Sequence, residues 1–277
     1  MNNKFDSVSF EHARSWLLVS ALDDAGYRDA AHSSADAIIL DLEDGVAPAA
    51  KGAARIRVRQ ILCEQGHSRW IRVNAASSSF WGADLSEVST MKGFAGIVLA
   101  KTEHADDVEA TSTRMPIGTP IIALIESAVG LEHASDIAAH PATVRLAFGS
   151  GDFRRDTGIS ADAVVLAYPR TRLTVASRAA RLPGPIDGPT RLADAEVLRR
   201  ETDDATQAGM TGRICLRADQ TGAVNAGMRP SAAEINWAAS VLGDPGTNDP
   251  SAVPRLAQAH KVLELARIFD SADRREH

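Results

Sequence analysis

The chain has 277 residues, of which 44% are hydrophobic and 24% charged, and it carries a formal net charge of -6. That size suits one large α/β domain with a full apolar core and no disulfide staples, and the acidic balance without a basic stripe argues against a nucleic-acid partner. Cys63 and Cys215 belong to no CxxC pattern and read as reduced thiols, the opening MNNKFDSVSFEH has no signal-like apolar run, and no apolar stretch is long enough to span a bilayer. The expectation is a cytoplasmic protein that does not engage membranes.

Short apolar runs recur in chain order: Trp16–Val19, Ala37–Leu42, Trp70–Val73, Gly96–Leu99, Ile121–Ile125, Val144–Phe148, Gly184–Asp187 and Arg213–Leu216. Runs such as AIILDL and IIALIE are too short for core helices, and their continuous apolar character fits strands buried on both faces, as in parallel sheets. The seventh run is the weakest, because the prolines of PGPIDGP interrupt a ladder. Between the runs lie amphipathic stretches of helical length, among them Pro48–Leu62, Ala105–Arg114 and Ala193–Ala208. Arg55, Arg57 and Arg59 in the first of these read as a solvated helix face. Strict alternation repeated eight times predicts a closed (β/α)8 TIM barrel, and no GxGxxG or GxxxxGK[ST] supports an open nucleotide-binding sheet. The barrel is placed at residues 1–243 and a linker at 244–252, where GDPGTNDP is dense in turn residues. An extra C-terminal helix with its tail follows at 253–277; Leu256, Ala259, Leu263, Ala266 and Phe269 recur there at helical spacing. This helix either caps the barrel bottom or packs on a neighbouring subunit.

A barrel of this kind forms its active site at the carboxyl ends of the strands. The second strand ends in Asp41-Leu42-Glu43-Asp44, and strand period puts Asp41 and Glu43 on one face. They either serve the site or hold the loop, for instance through Lys51. Arg72 lies between apolar neighbours in the third strand and must find an acceptor, either a substrate carboxylate or Glu43. The fifth and sixth strands end at Glu126 and in Gly149-Ser150-Gly151-Asp152. Two carboxylates on one rim, without a thiol or imidazole, suit a hard cation such as Mg²⁺. The glycines leave room for a ligand to approach the backbone.

The stretches RSWLLVS, ADAIILDLEDGVAPAAK, IRVN with WGADL, GIVLAK, PIIALIES and LAFGSGD, in this order over residues 14–243, resemble the citrate lyase β-subunit-like proteins of the HpcH/HpaI aldolase superfamily. The resemblance implies a (β/α)8 barrel in a homo-oligomer, a trimer or hexamer. It also implies Mg²⁺ held by Glu126 and Asp152, and a small carboxylate substrate, or its CoA thioester, met by Arg72. The implied activity is making or breaking a carbon–carbon bond in a 3-hydroxy acid. Arg72, Glu43 and Asp41 are the expected catalytic residues; Arg72, Arg14 and Gly149 are the expected substrate contacts. A metabolite-binding homologue and a CoA-thioester hydrolase are the alternatives. Several positions depart from the family pattern. The first strand runs into Ser20-Ala21-Leu22-Asp23-Asp24 without a Pro-Gly turn, and the eighth ends Cys215-Leu216-Arg217-Ala218 rather than Ile-His-Pro. Ser251-Ala252-Val253-Pro254 lacks the family's aspartate, with Asp249 out of register, and Gly151-Asp152 replaces a Glu-Asp pair. Asp23 and Arg217 are expected to pair across the rim and disfavour CoA.

Overall fold

The computed structural model describes residues 8–63, 69–243 and 252–273. Its elements in chain order are β1 (Ser15–Ser20), α1 (Asp24–Ala31), β2 (Ala37–Asp41), α2 (Lys51–Cys63), β3 (Arg69–Val73), α3 (Trp81–Val88) and β4 (Phe94–Leu99). Next come α4 (Ala105–Ser112), β5 (Ile121–Ile125), α5 (Ala128–Glu132), α6 (Ala134–Ala139), β6 (Thr143–Phe148), α7 (Ser150–Thr157), α8 (Ala163–Ala179) and β7 (Ile186–Asp187). The chain closes with α9 (Ala195–Gln207), β8 (Gly212–Cys215), α10 (Thr221–Gly227), α11 (Ala232–Gly243) and α12 (Val253–Asp273). The strands pair in parallel in sequence order, and β8 closes on β1 through Ser15–Arg213, Trp16–Ile214 and Leu17–Cys215. This is the (β/α)8 barrel expected from the alternation. No helix of the described residues is long and apolar enough to cross a membrane.

Each strand divides its side chains between two apolar layers, which is why the runs read as continuously hydrophobic. Trp16, Ile39, Trp70, Val98, Ile122, Leu124, Ala147, Ile186 and Ile214 fill the barrel interior. Their neighbours in sequence, such as Leu17, Leu40, Ile71, Ile97, Ala123 and Leu146, pack outward against the helices. β7 has only two residues, as the prolines around it dictate. Side chains reinforce it: Asp187 is fully buried and takes the Arg170 fork at 3.1 Å and Arg213 Nη1 at 2.5 Å.

Arg14 stands just before β1, at the end opposite the strands' carboxyl termini, and this overturns its expected role as a substrate contact. It is 2% exposed, forks onto Asp36 at 2.8 and 3.0 Å, and lies over the Phe269 ring of α12 at 4.2 Å. An arginine so placed fixes the barrel bottom. The same contact, with Val8, Phe269 and Ala272 in one cluster, seats α12 at the bottom end, and α11 meets α12 through Ala238, Val241 and Ala259. Residues 244–251 of the expected linker, with Asp249 and Ser251, lie outside the described residues. The arginines of α2 are not a merely solvated face: Arg55, Arg57 and Arg59 each meet an acid, Asp84, Asp24 and Glu87.

Candidate active site and family

At the carboxyl ends of the strands opens a cavity of about 600 Å³, lined by Leu18, Leu124 and Ile214 of the barrel interior and by charged residues of the rim. Its organising contact is between β2 and β3. Asp41 accepts Arg72 Nε and Nη2, both at 2.7 Å, and its two oxygens also accept the backbone N–H groups of Glu43 and Gly45 at 2.8 Å. The turn needs glycine at 45, because a Cβ there would stand 2.3 Å from Asp41 Oδ2. Arg72 Nη1 is 3.2 Å from Glu43 Oε2, close enough for an ion pair but out of line for a hydrogen bond. Burial opposes the charge on Arg72, but Asp41, then Glu43 and Glu126, outweigh it and raise its pKa. The expected choice between substrate and Glu43 as Arg72's acceptor thus resolves onto Asp41 in the structure. Asp41 lines the cavity, but all its strong acceptor directions are spent on holding Arg72 and the loop.

Glu43 is 3% exposed; burial pushes its pKa up, opposed by Arg72 and Lys101. Lys101 Nζ bridges Glu43 Oε1 and both oxygens of Asp44, the latter at 3.2 and 3.1 Å. Among the described residues Lys51 meets no carboxylate directly; its ammonium donates to the carbonyls of Leu42 and Glu43 at 2.7 Å and to Asn74 Oδ1 at 3.0 Å. It holds the backbone of the acid run, while Lys101 meets the acids themselves.

Glu126 follows β5, with its Oε2 accepting the backbone N–H of Lys101 at 3.0 Å. Lys101 has φ 49, a left-handed conformation uncommon outside glycine, and that turn sends its N–H to Glu126 while its side chain reaches Glu43. The Glu126 pKa is pushed up to about 8, first by burial; Arg72 lowers it, while Glu43 and Asp152 raise it. Gly149 does more than leave open space for substrate: a Cβ there would lie 2.3 Å from Glu126 Oε1, so the glycine makes room for that carboxylate. Asp152, in the first turn of α7, lines the same cavity and pairs with Arg155 Nη1 at 2.6 Å. Among the described residues no group of three or more His, Cys, Asp or Glu could hold a metal ion. The Glu126–Asp152 pair nevertheless fits Mg²⁺, which takes one or two carboxylates and fills its other positions with substrate oxygens and water. A buried carboxylate with its pKa raised beside other acids is also a group that a cation would relieve.

Asp23 and Arg217 do not pair. Asp23 caps α1 by accepting the Gly26 N–H at 2.9 Å, and Arg217 forks onto Asp219 at 2.9 Å. Each found an acid or donor close in its own segment, so the expected barrier to CoA is absent. Sequence reasoning missed Lys101, Arg155 and Arg191. Lys101 was signalled by a lone cation closing an apolar strand run, GIVLAK; the arginines carried no pattern, since the rim alone brings them to the cavity.

The model of the HpcH/HpaI aldolase/citrate lyase family matches residues 14–218, and that of the HpcH/HpaI aldolase C-terminal domain matches 233–270. The chain is 33% identical over 231 residues to a (3S)-malyl-CoA thioesterase of Cereibacter sphaeroides, covering 81% of this chain and 80% of that protein. It is 32% identical over 237 residues to a citrate lyase subunit beta-like protein of Mycobacterium tuberculosis, covering 82% and 83%. The solved structure of CitE from M. tuberculosis with magnesium, acetoacetate and coenzyme A superposes with a TM-score of 0.77 at 28% identity, over 93% of this chain and 99% of that one. RipC from Yersinia pestis gives 0.72 at 29%, over 82% and 100%. The chain therefore belongs to the HpcH/HpaI aldolase/citrate lyase family.

Proposed function

We propose that this protein is a Mg²⁺-dependent carbon–carbon lyase acting on a small hydroxy- or keto-acid or its CoA thioester. One observation carries the reading: a guanidinium locked by Asp41 shares a cavity with the Glu126–Asp152 pair. Arg72 spends its Nε proton and one Nη2 proton on Asp41 and keeps others of its five donors for a substrate anion. Asp41 fixes the plane of that fork, so the positive charge needs no reorganisation as an enolate charge develops after bond cleavage. The apolar floor of Leu18, Leu124 and Ile214 excludes water beneath the reacting group and strengthens each charge contact above it. A Mg²⁺ on Glu126 and Asp152 would supply Lewis acidity and a template for the keto-acid oxygens. Glu43, which does not line the cavity, acts by holding Lys101. Asp44 lines the cavity beside that ammonium and is the acid we assign to take the hydroxyl proton.

Support from the family is direct at the level of chemistry: the M. tuberculosis relatives were crystallised with magnesium and with oxaloacetate, pyruvate or acetoacetate. Hydrolysis of a CoA thioester is the second reading, favoured by the C. sphaeroides thioesterase. Isothermal titration of the protein with Mg²⁺ and then oxaloacetate, pyruvate or acetyl-CoA tests the site. Keto-acid heat that appears only with Mg²⁺ is the expected result, followed by keto-acid release from a cleaved hydroxy acid. Thioester hydrolysis without carbon–carbon cleavage would move the protein to the second reading; no Mg²⁺-dependent binding would refute both.

A further inference from the structure

Among the described residues, each cation around the cavity has an acid except one. Arg72 is held by Asp41, Lys101 by Glu43 and Asp44, and Arg155 by Asp152. Arg191 lines the same cavity and is exposed, yet no acid of the described residues pairs with it. Its guanidinium is folded over the bare Cα of Gly151: a Cβ there would sit 2.9 Å from Nη2 and 3.6 Å from Cζ. Gly151 thus leaves the space that Arg191 occupies at the start of α7.

The backbone that carries Arg191 is anchored rather than loose. Thr190, 1% exposed, accepts Arg213 Nη2 at 2.7 Å and donates to Glu201 Oε2 at 2.6 Å, and its carbonyl accepts Gln220 Nε2 at 2.9 Å. Gly188 lies so close to β6 that a Cβ would meet Ser150 Oγ at 2.2 Å and the Phe148 carbonyl at 3.0 Å. A guanidinium on a fixed stem without an acid of its own among the described residues raises the local positive potential and is stabilised by an arriving anion, whereas Arg155 on the same cavity is already met by Asp152.

Resting on the lyase reading above, we propose that Arg191 over Gly151 forms a subsite for a second anionic group of the substrate, while Arg72 meets the first. The ligand then carries anionic oxygens at two separated points. The second group is either the distal carboxylate of a dicarboxylic acid or a phosphate of a thioester's carrier arm; both present the oxygens that a guanidinium fork recognises.

The test titrates Mg²⁺-loaded wild type, Arg191→Gln and Arg191→Lys with freshly prepared oxaloacetate, pyruvate and coenzyme A. Wild type is expected to prefer oxaloacetate to pyruvate by roughly tenfold, the usual scale of one charge-assisted contact. Arg191→Gln should collapse that preference, and Arg191→Lys should keep part of it. A Gly151→Glu variant, which places a carboxylate beneath Arg191, should collapse it as well. If the keto-acid ratio holds but coenzyme A affinity falls about tenfold in Arg191→Gln, the subsite takes phosphate. Unchanged affinities for all three ligands in Arg191→Gln would overturn the proposal. Failure of the lyase reading looks different: wild type would then bind neither acid in the presence of Mg²⁺, and the subsite would fall with it.

Discussion

Replacing Gly149 by alanine should disable the proposed Mg²⁺ site by displacing Glu126, without any backbone strain. Gly149 has φ -86 and ψ 70, so a side chain is not excluded by the backbone. The obstacle is steric, with the new Cβ 2.3 Å from Glu126 Oε1, 2.4 Å from Cγ and 2.8 Å from Cδ. Carbon contacts are comfortable at about 3.5 Å or more, so the overlap amounts to roughly 1 Å against part of one side chain. The backbone at 149 cannot yield easily, because its N–H donates to the Ile125 carbonyl at 2.8 Å and its carbonyl accepts the Phe153 N–H at 3.0 Å. The Glu126 carboxylate must therefore swing away and lose its 3.0 Å bond from the Lys101 N–H. Overpacking of this kind costs about 1–3 kcal/mol of stability. At the usual slope for a large domain that lowers Tm by roughly 2–10 °C. Mg²⁺ tolerates little distortion of its octahedron, so affinity should fall on the order of tenfold to a hundredfold. Thermal melts with and without Mg²⁺, together with Mg²⁺-dependent pyruvate titration, measure both effects. Gly82→Ala is the control, since its Cβ meets nothing within 4 Å. Wild-type Mg²⁺ affinity in Gly149→Ala would refute the assignment of Glu126 as a ligand.

Glu126→Gln and Asp152→Asn should each abolish Mg²⁺-dependent keto-acid binding while circular dichroism stays native; wild-type affinity in both would place the site elsewhere. Without metal, Glu126→Gln should be more stable than wild type by a margin that grows with pH. The folded pKa of about 8 lies above the ordinary carboxyl value of 4.5, so the native carboxyl keeps a proton that the unfolded chain has lost, and wild-type stability falls as pH rises between those values. Denaturant midpoints at pH 5 and pH 8.5 test this, and an equal gap at both would contradict it. Arg72→Lys should weaken keto-acid binding by about 1.5–3 kcal/mol, because an ammonium cannot fork onto both Asp41 and the substrate. Unchanged affinity would make Arg72 purely structural. Of the two thiols, Cys63 is exposed while burial pushes the buried Cys215 up to about 12. A thiol reagent at pH 8 should therefore label one sulfur per native chain and two in urea.

By itself the sequence determined the barrel and the deepest part of the site. Eight apolar runs alternating with amphipathic stretches leave little besides a parallel barrel, because strands covered on both faces lack a polar side. Strand ends are also local, so Asp41, Arg72, Glu126 and Asp152 could be assigned to one rim by counting staves. The structure put all four on one cavity. Contacts across the rim were not legible. Whether Arg72 turns to Asp41 or Glu43 depends on side-chain angles that the turn at Gly45 sets, and Asp41 prevails because its oxygens already face two backbone N–H groups. Asp23 and Arg217 looked like neighbours in a closed barrel, but each is satisfied within its own turn, where ordering a side chain costs less entropy than reaching across the opening. Arg14 carried the same letter and charge as Arg72; its height along the first strand, set by where pairing begins, sent it to the barrel bottom. Arg191 came to the cavity only through the fold of the loop after β7 over Gly151, a meeting of residues 40 positions apart that no local pattern encodes.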